Sequence, residues 1–285
     1  VKLLLVTDTH LGPRAAACNA NWQAAQAWIA DHVPDAVVHL GDISADGADD
    51  VDGLAFSAAL LSALDVPLYA LPGNHDVGDN PVPGVAETHR VDAIRLRRYR
   101  DAFGPDWWSL RTPHWLLLGL NAQLLGSDCE DEERQFDWIA RTLAADVPAH
   151  VALLLHKPLF DTHPQQPEAG ERYVQPLPRQ RLLRLLAGHP LRLVVSGHTH
   201  QWRHRVLQGV EHVWVPSTSF CIPDAVQLRL GEKFVGLMQL TLDAAGYRFD
   251  TIIPAGMQRH NLLDQLDVYP QLAGIKQRLG AAGEL

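Results

Sequence analysis

Cysteine is scarce in this chain, and basic charge falls short of acidic. The 3 cysteines, Cys18, Cys129 and Cys221, are odd in number and far apart, so neither a disulfide framework nor a CxxC metal knuckle can be read from them. Each reads as a small buried apolar filler, and a reducing, cytoplasmic compartment is expected. Lys and Arg total 24 against 33 Asp and Glu, a net charge of −9, and an acidic surface repels polyanions at long range. Long nucleic acid is therefore a disfavoured partner. No stretch approaches the roughly 18 consecutive apolar residues of a membrane span, so no membrane partner is expected either. Internal repeats, low-complexity tracts and linkers are also lacking, which makes one domain the economical reading.

What is present is a large core and an excess of histidine. With 285 residues, 47% hydrophobic and 20% charged, the chain buries a sizeable interior without staples, and disorder is excluded. Lys2 to Val6, Ala36 to Leu40 and Pro67 to Leu71 are short apolar runs that fit strands buried on both faces. Between them, Trp22, Ala25 and Ile29 and then Leu54, Ala58, Leu61 and Leu64 recur at helical spacing, with Asn19 or Asn21 as cap of the first helix. This alternation argues for a layered α/β architecture with mostly parallel strands. A basic helix over 91–103 places Arg95, Arg97, Arg98 and Arg100 mostly in solvent. Strands follow at Trp115 to Leu120, Val151 to Leu155 and Leu191 to Val195, with a helix around Phe136, Ile139 and Leu143 and another over 179–187. The stretch 157–178, with five prolines and no period, reads as surface loop or lid. Beyond residue 200, the segments 203–207, 211–215, 226–230, 235–242 and 247–253 read as an antiparallel completion of a sheet, and 261–285 as a closing helix or tail. The segments after His200 and after Asn261 are where a homodimer contact is expected.

The 15 histidines matter for where they stand. Asp8 and His10 follow the first buried strand, Asp42 the second, and Asn74 and His75 the third. His156 follows a later strand, and His198 and His200 the next. Ends of parallel strands share one edge of a sheet, where ligand sites collect. Imidazole with carboxylate and amide oxygen suits Mn, Fe, Co or Zn better than Ca or Mg. A carboxylate bridges two cations comfortably, so Asp42 is the natural shared ligand. Two such metals lower the pKa of a trapped water and clamp a phosphoryl group under in-line attack, which makes hydroxide the nucleophile. His75 is left to steady charge on phosphorus or to protonate a departing oxygen. Asp76 is expected to orient His75, His39 to be core, and Phe160 and Phe220 to wall the site or pack inside. Arg14 and His163 read as exposed loop residues.

DTH at 8–10, GD at 41–42, GNHD at 73–76, His156 in LLLHKP and GHTH at 197–200 stand in order over roughly the first 200 residues. Together they resemble the signature blocks of the calcineurin-like metallophosphoesterase superfamily. The resemblance implies a four-layer αββα sandwich, with two mixed sheets flanked by helices and a dinuclear centre. It implies a metallophosphoesterase domain over 1–260, with 261–285 packed on it. Position by position, Asp8, His10, Asp42 and His200 would hold one metal, and Asp42, Asn74, His156 and His198 the other. Asn74 and His75 would meet substrate, and His75 matches the histidine that assists the leaving group. Within the superfamily, the GNHD block, the short inserts and PSTS at 216–219 are similar to the small bacterial phosphodiesterases (class III) of cyclic nucleotides and glycerophosphodiesters. Hydrolysis of a small phosphodiester is the expected function. A phosphomonoesterase or nucleotide pyrophosphatase is the alternative. HLG at 10–12 resembles a double-strand-break nuclease subunit, which the acidic charge disfavours, and a module holding metal without turnover is the rival outside enzymes.

Overall fold

The central strands are buried on both faces, with one apolar row between two sheets and the other row under a helical layer. The computed structural model describes residues 1–82, 85–145, 147–167 and 170–283. The first half holds strands β1 (Lys2–Val6), β2 (Ala36–His39) and β3 (Leu68–Ala70), with helices α1 (Ala16–His32), α2 (Val51–Ser62), α3 (Asn74–Val77) and α4 (Ala93–Phe103). Strands β4 (Trp108–Arg111), β5 (Trp115–Leu120), β6 (His150–Leu155) and β7 (Leu191–Ser196) follow, with α5 (Glu130–Ala144) and α6 (Pro176–Leu186) between the later ones. Six short strands come next: β8 (Arg203–Leu207), β9 (Val210–Trp214), β10 (Phe220–Cys221), β11 (Leu237–Leu242), β12 (Tyr247–Ile252) and β13 (His260–Asn261). Helix α7 (Ala273–Ala282) ends the described chain.

One large sheet has the order β12-β11-β1-β2-β3 and the other β4-β5-β6-β7-β9-β8, while β10 and β13 form a separate two-stranded sheet. Parallel strands β1-β2-β3 run to one edge of the first sheet and β5-β6-β7-β9 fill the middle of the second, while β11, β12, β4 and β8 pair antiparallel beside them. Successive side chains on a strand point to opposite faces. Leu3 and Leu5 of β1 accordingly meet Leu117, Leu154 and Val195 of the facing sheet. Leu4 and Val6 instead pack under Trp22 and Ile29 of α1 and Leu96 and Tyr99 of α4. Leu153 and Leu155 likewise pack under Phe136 and Ile139 of α5 and Leu182 and Leu186 of α6. Each such buried aliphatic side chain contributes about 1.5–3 kcal/mol relative to exposure. The result is the expected helix, sheet, sheet, helix sandwich. Among the described residues, no helix is long and apolar enough to cross a membrane.

Several expectations are corrected. Helix α1 begins at Ala16, five residues before Asn21, and no side chain caps it. Asn21 is buried instead, donating to the carbonyls of Thr218, Ser219 and Gln258, which tie α1 to the segments after β9 and β12. β4 carries no apolar run to mark it in the sequence, and its residues are at most partly buried. The segment 226–230 is not a strand: Val226 and Gln227 donate to Pro223 O and close a turn. The strands after residue 200 are also not one antiparallel set, since β9 runs parallel to β7 and β11 crosses to the other sheet. Arg95 and Arg100 do not simply face water. Arg95 pairs with Asp49 and Asp92, and Arg100 with Asp106 and Asp131.

Candidate metal centre

The carboxyl ends of β1, β2, β3, β6 and β7 open at one end of the sandwich, and Asp8, His10, Asp42, Asn74, His75, His156, His198 and His200 meet there. Asp8 Oδ1 lies 3.4 Å from His200 Nε2, Asp42 Oδ2 lies 3.3 Å from His156 Nε2, and His10 Nε2 lies 3.3 Å from His200 Nε2 and 4.0 Å from Asp42 Oδ2. His198 Nδ1 stands 3.1 Å from His156 Nε2. Three overlapping sets can hold a cation: Asp8, His10 and His200; His10, Asp42 and His75; and Asp42, His156 and His198. Asp42 is the acid common to two of them. Asn74 lines the same cavity.

The backbone is bent to make this possible. Among the described residues eight non-glycine positions have positive φ, and five are Asp8 (53°), His10 (46°), Asp42 (52°), His198 (68°) and His200 (52°). Left-handed backbone costs about 1–2 kcal/mol for an ordinary L residue, and such strain clusters where function over-determines geometry. Close approach adds a second constraint: a Cβ at Gly41, whose φ is +108°, would stand 2.7 Å from Gly73 N and from His156 Nδ1, and one at Gly73 would stand 2.1 Å from Asp42 Oδ1. The glycines of the GD and GNHD blocks are thus what lets β2, β3 and His156 close on one point.

Surrounding groups hold the cluster in place. Asp8 accepts from Thr7 Oγ1 and from the His198 amide, and its carbonyl accepts from Ser217 and Ser219. The buried Asp76 does not orient His75. It accepts from the amides of Ile43, Ser44 and Gly73 and from the Ser44 hydroxyl, so it pins the loop carrying Asp42. His75 has its Nδ1 2.7 Å from Ala45 O. His39 is buried against Thr9 Oγ1 at 2.9 Å, as expected of a core residue, and burial pushes it down to about 3. Phe220 stacks on His10 and lines the cavity, whereas Phe160 packs in the core under the second sheet. Arg14 and His163 are exposed. Tyr269, which the sequence reading did not single out, places its hydroxyl 2.8 Å from His10 Nδ1. A lone tyrosine in an irregular segment carries no periodic signal that marks it as functional. Lys157, directly after His156, is buried on Asp79 and Asn80.

The donor set fits a pair of transition-metal ions. Asp8 Oδ1 and Asn74 Oδ1 are buried without a hydrogen-bond partner, which costs about 1–3 kcal/mol for each such group unless a cation is supplied. Burial alone would raise the carboxyl groups of Asp8 and Asp42, but the imidazoles of His200 and His156 prevail and hold both below the usual range. Burial, joined by the neighbouring His75 and His156 respectively, holds His10 and His198 well below theirs, so both are neutral, as metal ligation would require. His156 and His200 are the exceptions: burial opposes their charge, yet Asp42 raises His156 to about 9 and Asp8 raises His200. Metal loading at pH 7 is therefore expected to release a proton from His156. Affinity should fall as the pH drops below about 9, by up to about tenfold per pH unit, because the imidazolium has no lone pair to give. Calorimetric titration in buffers of different ionisation enthalpy counts that proton, and a count of zero at pH 7 contradicts the expectation.

An αββα sandwich with an imidazole and carboxylate cage at its strand ends defines a metal-dependent phosphoric ester hydrolase. The chain belongs to the calcineurin-like phosphoesterase family, whose model matches residues 1–202. Members of this family use dinuclear metal centres, and this chain carries candidate His and Asp clusters for one. It is 26% identical over 235 residues to a probable cyclic nucleotide phosphodiesterase of Psychrobacter arcticus, an alignment covering 77% of this chain and 81% of that protein. It is 27% identical over 178 residues to serine/threonine-protein phosphatase CPPED1 of Danio rerio, covering 60% of this chain and 52% of the relative. Among solved structures, a dimetal phosphatase from Danio rerio matches 89% of this chain and 99% of its own with a TM-score of 0.55 and 16% identity. A purple acid phosphatase from yellow lupin matches 93% of this chain and 55% of its own with a TM-score of 0.63 and 14% identity. At such identities the structural likeness concerns the fold alone.

Proposed function

We propose that the protein hydrolyses a small phosphodiester of the cyclic nucleotide or glycerophosphodiester type. In this reading Asp8, His10, Asp42 and His200 hold one ion, and Asp42, Asn74, His156 and His198 the other, with Mn, Fe, Co or Zn suited to the donors. When bound, the pair supplies Lewis acidity to the phosphoryl oxygens and lowers the pKa of an attacking water. His75 Nδ1 donates to Ala45 O, so Nε2 faces the cavity and, in the imidazolium form, is the atom that carries a proton to the departing oxygen.

The observation that carries the choice of a diester is the make-up of the cavity beside these residues, about 330 Å³ in volume. One wall is apolar, with Phe220, Ile222, Leu262 and Leu272, and offers a flat surface to a base or acyl-like group. Among the described lining residues, Arg172 is the one Lys or Arg, and Glu171 and Asp79 line the cavity with it. Such a wall suits the monoanionic phosphate of a diester better than a dianionic monoester. The bacterial relative named as a probable cyclic nucleotide phosphodiesterase points the same way. The relative named as a protein phosphatase favours a monoester. With defined Mn, kcat/KM for cyclic AMP or glycerophosphocholine is expected to exceed that for p-nitrophenyl phosphate by at least about tenfold. A preference of that size for the monoester would replace the diester reading with a phosphomonoesterase.

A further inference from the structure

Three candidate ligand imidazoles, those of His10, His156 and His200, present Nε2 to the carboxylates, and each must carry its proton on Nδ1 to leave that lone pair free. For two of them a carbonyl enforces this. His156 Nδ1 is 2.9 Å from Leu40 O and His200 Nδ1 is 2.9 Å from Phe220 O. A carbonyl only accepts, so both tautomers are fixed. Among the described residues His10 has no such carbonyl. Its Nδ1 meets the hydroxyl of Tyr269 at 2.8 Å, and a hydroxyl either donates or accepts. Donation to Nδ1 would put the ring proton on Nε2 and block coordination.

A second acceptor removes the ambiguity. Tyr269 Oη is 3.3 Å from Ala45 O, which can take the hydroxyl proton. Oη then accepts from His10 Nδ1–H, and Nε2 faces Asp42 and His200 unprotonated. The same Ala45 carbonyl accepts from His75 Nδ1 at 2.7 Å, so one backbone oxygen sets both His10, through Tyr269, and His75. Tyr269 stands 67 residues beyond the end of the family match at residue 202 and is nearly buried, at 7% exposure.

We infer that Tyr269 is a positioning residue that fixes the His10 tautomer for metal binding. The inference rests on the dinuclear reading above, in which His10 is a ligand of one ion. Removing such a partner of a metal-ligating histidine typically costs about 10–100-fold in metal affinity. Tyr269→Phe keeps the ring against Phe220 and His75 but leaves His10 Nδ1 without its partner.

The test is Mn titration calorimetry on metal-free wild type and Tyr269→Phe, with the thermal midpoint of the metal-free proteins as the control for folding. Wild type is expected to take up two ions. In the variant one binding step weakens by about 10–100-fold while the other changes by less than about threefold, and KM measured at saturating Mn stays within about twofold. Unchanged affinities overturn the inference, and a raised KM with unchanged affinities moves Tyr269 to the substrate. Wild type that takes up no Mn would instead sink the dinuclear reading, and this inference with it. An independent measurement needs no variant: nitrogen NMR of the metal-free wild type is expected to show His10 protonated on Nδ1, and a proton on Nε2 overturns the assignment.

Discussion

Asp42→Asn is expected to lower hydrolysis of bis(p-nitrophenyl) phosphate by at least about 10³-fold and to deplete both ions from the purified protein. The size of the effect follows from position. Asp42 Oδ2 reaches His156 Nε2 at 3.3 Å and His10 Nε2 at 4.0 Å, and no other acid belongs to both ligand sets. An amide keeps the shape but supplies neither the negative charge nor the second equivalent oxygen that lets a carboxylate bridge. The substitution also isolates chemistry from folding. Asp42 sits at a φ of 52°, a region asparagine tolerates, and the amide oxygen can still accept from the His75 amide, which now lies 2.9 Å from Oδ1. The folded chain should therefore survive. Elemental analysis beside the activity assay reads the result, and a variant that kept two ions and more than a tenth of the activity would refute the bridging role of Asp42.

The part of this centre that the sequence carried is the part written in residue type and strand periodicity. A strand buried on both faces is an apolar run, and where β1, β2, β6 and β7 stop, the next polar side chains are the ones brought together. The assignment of strands to sheets was not legible. Period-2 alternation gives a strand two faces but no neighbour, and β1 pairs with β11 across more than 230 positions, as in Leu5 with Met238. Asp76 shows a different failure. Its adjacency to His75 suggested a shared role, but on α3 its carboxylate turns the other way, to Ser44 and Gly73. The left-handed backbone at Asp8, His10, Asp42, His198 and His200 was equally hidden, because sequence preference for that region is strong only for glycine and modest for asparagine and aspartate. Here the candidate ligands are held in strained conformations by the packed strands beneath them, which is where local preference is expected to yield to function.

His75→Asn is expected to lower kcat by about 10²–10⁴-fold on diesters with alkoxide leaving groups while metal content stays at the wild-type level. The two halves of this outcome answer different questions. His75 falls in a set with His10 and Asp42 that has the spacing of a metal site, so geometry alone allows it to be a ligand. Its hydrogen bonding leaves both roles open, as a carbonyl partner does at His156 and His200: Nδ1 is committed to Ala45 O, and its ring meets that of His10 edge-on at a centroid distance of 4.7 Å. That leaves Nε2 at the cavity wall, where a proton can be delivered to oxygen. If so, the loss must depend on how much the departing group needs that proton. p-Nitrophenolate leaves as a stable anion and should lose little, whereas the alkoxide of a ribose or glycerol should lose most of the rate, so the ratio between the two substrates reports proton delivery directly. Asparagine can retain a bond to the Ala45 carbonyl, which keeps the turn beside Asp42 in place. An equal loss on both substrates together with a missing ion would make His75 a ligand and leave the leaving group without its acid.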